Sequence, residues 1–177
     1  MSDFTMRLAT EADIPACATI YRHHVLHGTG TFETRGPDDA EMLRRYREVV
    51  GRGLPWLVAT DGADSKVRGF AYANWFRPRE AYRFAVEDSI YVDPEFRRRG
   101  AGGGLLAALI DASTTAGARQ MVAVIGDAAN AGSIGLHRSR GFEETGRMRS
   151  VGWKFDRWLD VVLMQLTLGP GDAIPPA

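Results

Sequence analysis

Cysteine is almost absent from this chain of 177 residues, and so is any excess of charge of one sign. The single cysteine, Cys17, excludes an internal disulfide, which favours a reducing compartment such as the cytoplasm. The 22 lysines and arginines balance 22 aspartates and glutamates, whereas a nucleic-acid-binding domain is usually strongly basic. No apolar run approaches the roughly 18 residues of a membrane span. We therefore expect a soluble, cytoplasmic protein without nucleic acid or membrane as a partner.

The sequence also lacks a convincing set of metal ligands. His23, His24 and His27 lie close together in a predicted helix, but no cysteine or carboxylate accompanies them at ligand spacing. We interpret the three histidines as a solvated helix end and predict no metal. Cys17 lies in the same helix and is predicted to be a small packing residue, because no neighbouring group marks it as a reactive thiol.

The order of apolar patterns and turn residues predicts one domain over residues 1–168. Strands are predicted at about residues 5–9, 56–60, 67–75, 89–92, 120–125, 146–153 and 157–168. Helices are predicted at about residues 14–28, 37–51, 105–110 and 130–141. The remaining residues, 169–177, are rich in proline and glycine and are predicted to be disordered.

One stretch, residues 88–106, carries the strongest functional signal. Residues 89–92 are predicted to form a strand, and Pro94 ends it because proline has no backbone donor to extend a sheet. Glycines at 100 and at 102–104 allow the backbone to approach a ligand closely. The helix that follows begins with free N–H groups beside three arginines, so we predict a site for a pyrophosphate or a similar anion.

Three phosphate-binding motifs compete for this stretch. A Walker loop is excluded because the chain has no Gly-x-x-x-x-Gly-Lys-Ser/Thr string. The dinucleotide fingerprint is disfavoured, because Leu105 stands where it needs a small residue and Asp127 lies late for the ribose. The pattern Gln/Arg-x-x-Gly-x-Gly/Ala is met by Arg97, Gly100 and Gly102. Taken alone, the loop is also compatible with a solvated basic turn.

This third pattern resembles the pyrophosphate loop of the GNAT acetyltransferase superfamily. Strings that resemble its phosphinothricin and methionine sulfoximine acetyltransferases lie at residues 31–33, 81–92, 123–127, 133–137, 141–142, 152–154 and 157–160. The resemblance spans about residues 5–168 and implies an α/β (α+β) fold, with a mixed, mostly antiparallel central sheet flanked by helices. It also implies acetyl-CoA as co-substrate and, from Lys154, Trp158 and Asp160, a homodimer.

By resemblance, the acetyl-CoA site spans the end of the central strand, the glycine loop and a later helix. Its expected residues are Ile90, Tyr91, Val92, Arg97, Arg98, Arg99, Gly100, Ala101, Gly102, Gly103, Asn130 and Ser133. Backbone N–H groups near Tyr91 and Val92 are candidates for stabilising an oxyanion. Asn130 and Ser133 share one helix face and are candidates for binding the pantetheine arm.

Two side chains are candidates for moving protons. Glu87 lies in the central strand between apolar residues, where a carboxylate is costly unless it is paired or faces a wet cavity, so it is a candidate base. The alternative is an ion pair with Arg79 or Arg83. His137 stands where much of the superfamily has a tyrosine as general acid, and histidine gives or takes a proton near neutral pH. It is a candidate acid or base, with a buried structural histidine as the alternative.

The expected acceptor is a small amino acid analogue such as phosphinothricin or methionine sulfoximine. By resemblance its site comprises Phe32, Arg77, Arg79, Tyr82, Arg83 and Glu87. Arginine binds carboxylates through two parallel hydrogen bonds, although surface solvation is the alternative for these arginines and a core position for Phe32. Ala85 stands where the family pattern has threonine, so the preferred acceptor stays open.

Other functions stay open at this stage. Direct attack in a ternary complex is expected, because no cysteine is placed to carry an acetyl group. The alternatives are a protein N-terminal or polyamine acetyltransferase and, from another class, a non-catalytic CoA-binding sensor. Polyamines would favour an acidic groove, whereas the arginines favour an anionic acceptor. A sensor would need neither Glu87 nor His137.

Overall fold

The structure, a computed structural model, describes residues 4–62 and 65–176. Within these residues seven strands are present: β1 Phe4–Leu8, β2 Trp56–Asp61, β3 Val67–Trp75, β4 Ala85–Val92, β5 Gln120–Gly126, β6 Glu143–Lys154 and β7 Arg157–Thr167. Four α-helices accompany them in the described part of the chain: α1 Ile14–His27, α2 Asp39–Gly51, α3 Ala101–Thr115 and α4 Ala131–Arg138. The strands form one sheet in the order β1-β2-β3-β4-β5-β7-β6.

The sheet is mixed and mostly antiparallel, which confirms the predicted fold class. Only β4 and β5 pair in parallel among the described strands, because α3 crosses over between them. Their pairing runs from Ala85 to Asp88 on β4 and from Gln120 to Ala123 on β5. Both strands continue past this point without pairing to each other, so the sheet splits in its middle.

Two layers of helices bury the two faces of the sheet. On one face, Trp56 stacks on Phe70 and Tyr72 of β3, and Tyr46 of α2 meets the ring of Trp56 edge-on. On the other face, α3 buries Leu105, Leu106 and Leu109 completely. Alternate residues of β4 therefore face different helices, since neighbouring side chains of a strand point to opposite sides.

The C-terminal residues of the described chain, for which the sequence predicts disorder, form hydrogen bonds within the domain. Residues 169–176 form turns in which Gly171 N donates to Leu168 O (2.9 Å) and Arg119 Nη1 donates to Gly171 O (3.4 Å). The predicted disorder of this tail stays a prediction. Among the helices that the structure describes, none is both long enough and apolar enough to span a bilayer.

Candidate active site

A cavity of about 940 Å³, here called the split cavity, opens where β4 and β5 separate. Beyond Asp88 and Ala123, β4 keeps its partner β3 and β5 keeps its partner β7, but the two strands no longer bond to each other. Ile90, Tyr91 and Val92 line the cavity from β4. An extended ligand with amide groups can lie here, because it can hydrogen-bond to a strand edge that has no neighbour.

The glycine loop closes one end of the split cavity. Arg97, Arg98, Gly100, Gly102 and Gly103 line it there. Gly100 precedes α3 with φ of 96°, in the left-handed region that glycine tolerates without strain. The first turn of α3 then offers free N–H groups and the positive end of the helix dipole beside two arginines. These groups fit a pyrophosphate.

Two predicted loop residues do not line the split cavity. The guanidinium of Arg99 lies over the ring of Phe96, with its carbon 4.8 Å from the ring centre. Ala101 is the first residue of α3 and is almost completely buried. The loop contributes to the cavity mainly through its backbone and the two other arginines.

Asn130 and Ser133 line the opposite wall of the split cavity, as residues of the α4 N-terminus. Asn130 Oδ1 accepts a hydrogen bond from Ser133 N (3.2 Å) and so caps the helix. The carbonyl of the Asn130 side chain is thus engaged within the protein. Its amide group remains as a side-chain donor of this wall, whereas the Ser133 hydroxyl also lies 3.4 Å from Nδ1 of His137.

Glu87 faces the split cavity from β4, one residue before the last residue that pairs with β5. About a third (34%) of its side chain is exposed, and its Oε2 lies 4.0 Å from Nη1 of Arg77. Burial raises the pKa of the Glu87 carboxyl to about 7; the charge of Asp88 adds to this rise and Arg77 opposes it. The nearest arginine in this contact is therefore Arg77, and not Arg79 or Arg83, which the alternative interpretation of Glu87 names. A carboxyl with such a pKa can accept a proton near neutral pH.

His137 also lines the split cavity, but on the other face of β4. Its Nδ1 lies 2.8 Å from the carbonyl oxygen of Ser133, and its Nε2 lies 3.0 Å from Oδ2 of Asp88. Both side chains of the Asp88–His137 pair are almost fully buried, with 3% and 4% exposure. Hydrogen bonding and charge from Asp88 raise the pKa of His137, against the opposing effect of burial. Asp88 was not among the residues predicted from the sequence.

The three histidines of α1 do not behave alike, and the prediction that all of them are solvated is wrong for His24. His24 Nε2 donates to the carbonyl oxygen of Val92 (2.9 Å), and its ring contacts Tyr91. Burial lowers the pKa of His24. His23 and His27 are exposed. In the described residues, no cluster of three or more metal-ligating side chains is present.

The loop of residues 28–33, called the acceptor loop after the role that the resemblance implies for it, lines the split cavity with residues 28–31. Thr29 Oγ1 donates to Asp127 (2.9 Å), and Lys154 Nζ donates to the carbonyl oxygen of Thr31 (2.8 Å). Phe32 lies in a notch of the sheet rather than in the cavity lining. A Cβ atom at Gly152 would come within 2.2 Å of the Phe32 ring, so this glycine makes the notch.

The remaining predicted acceptor residues lie outside the cavity lining. Arg77, Arg79, Tyr82 and Arg83 belong to the segment between β3 and β4. Arg77 is the one that the structure brings to Glu87. The rings of Tyr82 and Phe76 pack edge-on within this segment. Residues that the sequence reasoning missed include Tyr21, His24, Tyr72 and Asp88, all of which line the split cavity.

The hairpin of β6 and β7 exposes an aromatic patch, defined here as Trp153, Phe155 and Trp158. These side chains are 55%, 52% and 61% exposed, and the two tryptophan rings meet with centroids 5.2 Å apart. Lys154, which lies between them in sequence, points inward and is buried. Clustered exposed aromatic residues are typical of interaction surfaces.

A split parallel strand pair, a glycine loop before a helix and a carboxyl at the split together define an acyl-transfer site on a mixed sheet. The sequence profile of the Acetyltransferase (GNAT) family matches residues 19–142. The chain belongs to this family, and it is an acetyltransferase.

Individual relatives support this assignment along the whole chain. Phosphinothricin N-acetyltransferase of Alcaligenes faecalis is 46% identical over 172 residues, which cover 97% of this chain and 86% of that protein. L-methionine sulfoximine/L-methionine sulfone acetyltransferase of Pseudomonas paraeruginosa is 42% identical, over 97% and 98% of the two chains. The crystal structure of a phosphinothricin acetyltransferase from Sinorhizobium meliloti in complex with AcCoA superposes with a TM-score of 0.95 at 47% identity, over 99% and 94%.

Proposed function

We propose that this chain transfers the acetyl group of acetyl-CoA to the α-amine of a small amino acid analogue, such as phosphinothricin or methionine sulfoximine. The observation that carries the proposal is the position of Glu87. A carboxyl with a pKa of about 7 faces the same cavity as the glycine loop, so a candidate base lies in the same cavity as a candidate anion site. The relatives act on amino acid analogues, as their names state.

The residues of the split cavity fit acetyl-CoA. Arg97, Arg98 and the first turn of α3 would hold its pyrophosphate, while the free edges of β4 and β5 would hold its amide-bearing arm. When bound, it supplies a thioester carbonyl that is activated toward an amine. Backbone N–H groups of β4 near Tyr91 are the candidates for stabilising negative charge on the carbonyl oxygen.

Glu87 is proposed as the base. The acceptor ammonium loses one proton to Glu87, the amine lone pair forms the new C–N bond, and the C–S bond breaks with its electrons going to sulfur. A second proton from the nitrogen balances the charge on the released thiolate. Direct transfer is favoured over an acetylated enzyme, because Cys17 is fully buried and burial raises the pKa of its thiol to about 12.

Arg77 is proposed to bind the acceptor carboxylate. Its guanidinium is about half (52%) exposed and lies 4.0 Å from Glu87, so an amino acid can place its carboxylate at Arg77 and its amine at Glu87. This positive group disfavours a polyamine acceptor. A non-catalytic CoA sensor is disfavoured by Glu87, since a carboxylate at this split serves no purpose in binding a polyanion.

The protein is further proposed to be a cytoplasmic homodimer. The aromatic patch offers Trp153, Phe155 and Trp158 as a self-complementary surface at the end of the sheet. The measurement is the molar mass in solution by light scattering. A dimer is expected for the wild type and a monomer for Trp158→Glu, and a monomeric wild type would overturn the proposal.

The acetyl transfer is tested by following thiol release from acetyl-CoA with a panel of acceptors. The panel contains phosphinothricin, methionine sulfoximine, natural amino acids, a polyamine and a short peptide with a free N-terminus. Amino acid analogues are expected to give the highest kcat/KM. Higher kcat/KM for the polyamine or the peptide would contradict the proposed acceptor class, and no release with any acceptor would favour the sensor.

A further inference from the structure

The buried Asp88–His137 pair lies at the point where the sheet splits. Asp88 is the last residue of β4 that pairs with β5, and His137 is on α4, which forms a wall of the split cavity. The pair therefore connects the strand that carries Glu87 to the helix that carries Asn130 and Ser133. It joins two walls of one cavity, 49 residues apart in sequence.

The hydrogen bonds of His137 determine where its protons lie. The carbonyl oxygen of Ser133 can only accept, so Nδ1 of His137 carries a hydrogen. The second proton lies between Nε2 and the Asp88 carboxylate. We assign this proton to Nε2, because Nε2 lies 3.0 Å from Oδ2 of Asp88 and the hydrogen bond and charge of Asp88 raise the pKa of His137.

Few other groups in the described residues interact with the pair. Oδ1 of Asp88 is buried and receives no hydrogen bond from these residues, so a neutral His137 would leave a charged Asp88 carboxylate without compensation. Three other charged groups lie on the elements around the pair. Glu87 is next to Asp88 in β4 and faces the other side of the strand. Asp127, which follows β5, accepts a hydrogen bond from Arg157, and Arg140, which follows α4, donates to the carbonyl oxygen of Gly103. The Phe142 ring meets the imidazole edge-on.

We propose that Asp88 is a positioning residue that keeps His137 doubly protonated and, through this ion pair, fixes α4 against β4 in the geometry that binds coenzyme A. Both N–H groups of His137 point to protein acceptors, so the ring has no free lone pair with which to act as a base. The base role then belongs to Glu87 alone. This last point depends on the proposed acetyl transfer, whereas the ion pair does not.

The pair should make coenzyme A binding sensitive to pH in a defined direction. The pKa of His137 is raised in the folded protein. The ion pair is therefore complete at a pH below the ordinary histidine pKa, and it is lost as the pH rises through the raised pKa of His137. Affinity for coenzyme A should therefore fall on the alkaline side. In Asp88→Asn the amide can donate to a neutral Nε2, so the bond persists while the charge is lost.

The test begins with the full-length, ligand-free protein. Imidazole nitrogen NMR signals of His137, assigned by their absence in His137→Gln, are followed as the pH is raised from about 5 to about 10, across the ordinary histidine value of about 6.5. In the wild type both nitrogens should stay protonated to a pH above that value, whereas in Asp88→Asn Nε2 should lose its proton at a lower pH. A wild-type His137 that loses its proton below the ordinary histidine value would overturn the proposal without the need for a folded Asp88 variant.

Calorimetric titration with free coenzyme A gives the second readout. Affinity should fall about tenfold from about pH 6 to the alkaline side in the wild type and in the control Asp111→Asn, an exposed α3 residue. In Asp88→Asn the affinity for coenzyme A should be weak at every pH in this range. Equal pH dependence in Asp88→Asn and wild type would refute the positioning role.

Kinetics separate this inference from the proposed function. In His137→Gln the KM for acetyl-CoA should rise. The decrease of kcat at acidic pH, here called the acidic limb, should be the same as in the wild type, because it reflects protonation of Glu87. Loss of the limb in His137→Gln would show that His137 is the base and would contradict the inference. If the wild type binds coenzyme A and shows the charged pair but acetylates nothing, the proposed function fails alone.

Discussion

Replacing Glu87 with glutamine removes the proposed base while keeping the shape of the side chain. General-base catalysis typically contributes about 10²–10⁴ in rate, so kcat for acetyl transfer should fall by about that factor. The wild-type kcat/KM should rise with pH through about 7, because the carboxyl must be deprotonated to accept a proton. In Glu87→Gln the residual activity should lack this acidic limb.

The same substitution should stabilise the fold, and the size of the effect follows from the structure. The pKa of Glu87 is raised from 4.5 to about 7, and 2.5 units correspond to about 3.4 kcal/mol. Since a third (34%) of the side chain is exposed, solvent screening reduces this to about 1–2 kcal/mol. Glutamine should therefore raise Tm by about 2–8 °C at about pH 8.

The pH dependence of this gain provides the sharper check. The folded state disfavours the charged carboxyl, so the penalty is complete above about pH 7 and disappears as the pH falls toward the unfolded value of about 4.5. Thermal unfolding of wild type, Glu87→Gln and the exposed control Glu143→Gln is compared at about pH 8 and pH 5. A gain that is equal at both pH values, or a control that shows the same gain, would refute the reasoning.

Three further predictions concern other parts of the chain. Gly152→Ala should displace Phe32 from its notch and raise the acceptor KM in the thiol-release assay while leaving the acetyl-CoA KM unchanged; equal changes in both KM values would contradict this. Arg77→Ala should raise the KM for amino acid acceptors but not for a carboxyl-free amine, and a uniform increase would argue against carboxylate binding. Asp13→Asn should lower the free energy of unfolding in urea by about 2 kcal/mol at neutral pH, because Arg7 lowers the pKa of Asp13 to about 2. The difference between the variant and the wild type should disappear as the pH falls through that value. A difference that stays constant down to about pH 2 would contradict the assignment.

Local patterns in the sequence were sufficient for most of the fold. The predicted strand at residues 67–75 matches β3, because this stretch is rich in the aromatic and apolar residues that favour strands. β6 extends beyond its prediction on both sides, since its register shifts twice and its exposed polar residues show no alternation. The apolar pattern alone predicted the central strand only at residues 89–92, because Glu87 and Asp88 interrupt it. The strand begins at Ala85, which agrees with the interpretation that Glu87 lies in it.

Site residues could be proposed from spacing where they are local in sequence. Arg97, Gly100 and Gly102 lie in one short loop, so their spacing favoured an anion site, with a solvated basic turn as the alternative; in the structure all three line the split cavity. The Asp88–His137 pair could not be read from spacing, because it depends on how α4 packs against the end of the β4–β5 pairing. A second carboxylate beside Glu87 within a strand was the one available signal.

The two sides of the β6–β7 hairpin make different contacts. Its outward residues form the aromatic patch, whereas Gly152 and Lys154 turn inward to hold Phe32 and Thr31 of the acceptor loop. If two copies associate at this hairpin, as proposed, the contact should also stiffen the acceptor loop, through which the acceptor is proposed to reach Glu87. Substrate preference should then vary with enzyme concentration, and a substitution chosen to separate two copies would also be recorded as a change in selectivity.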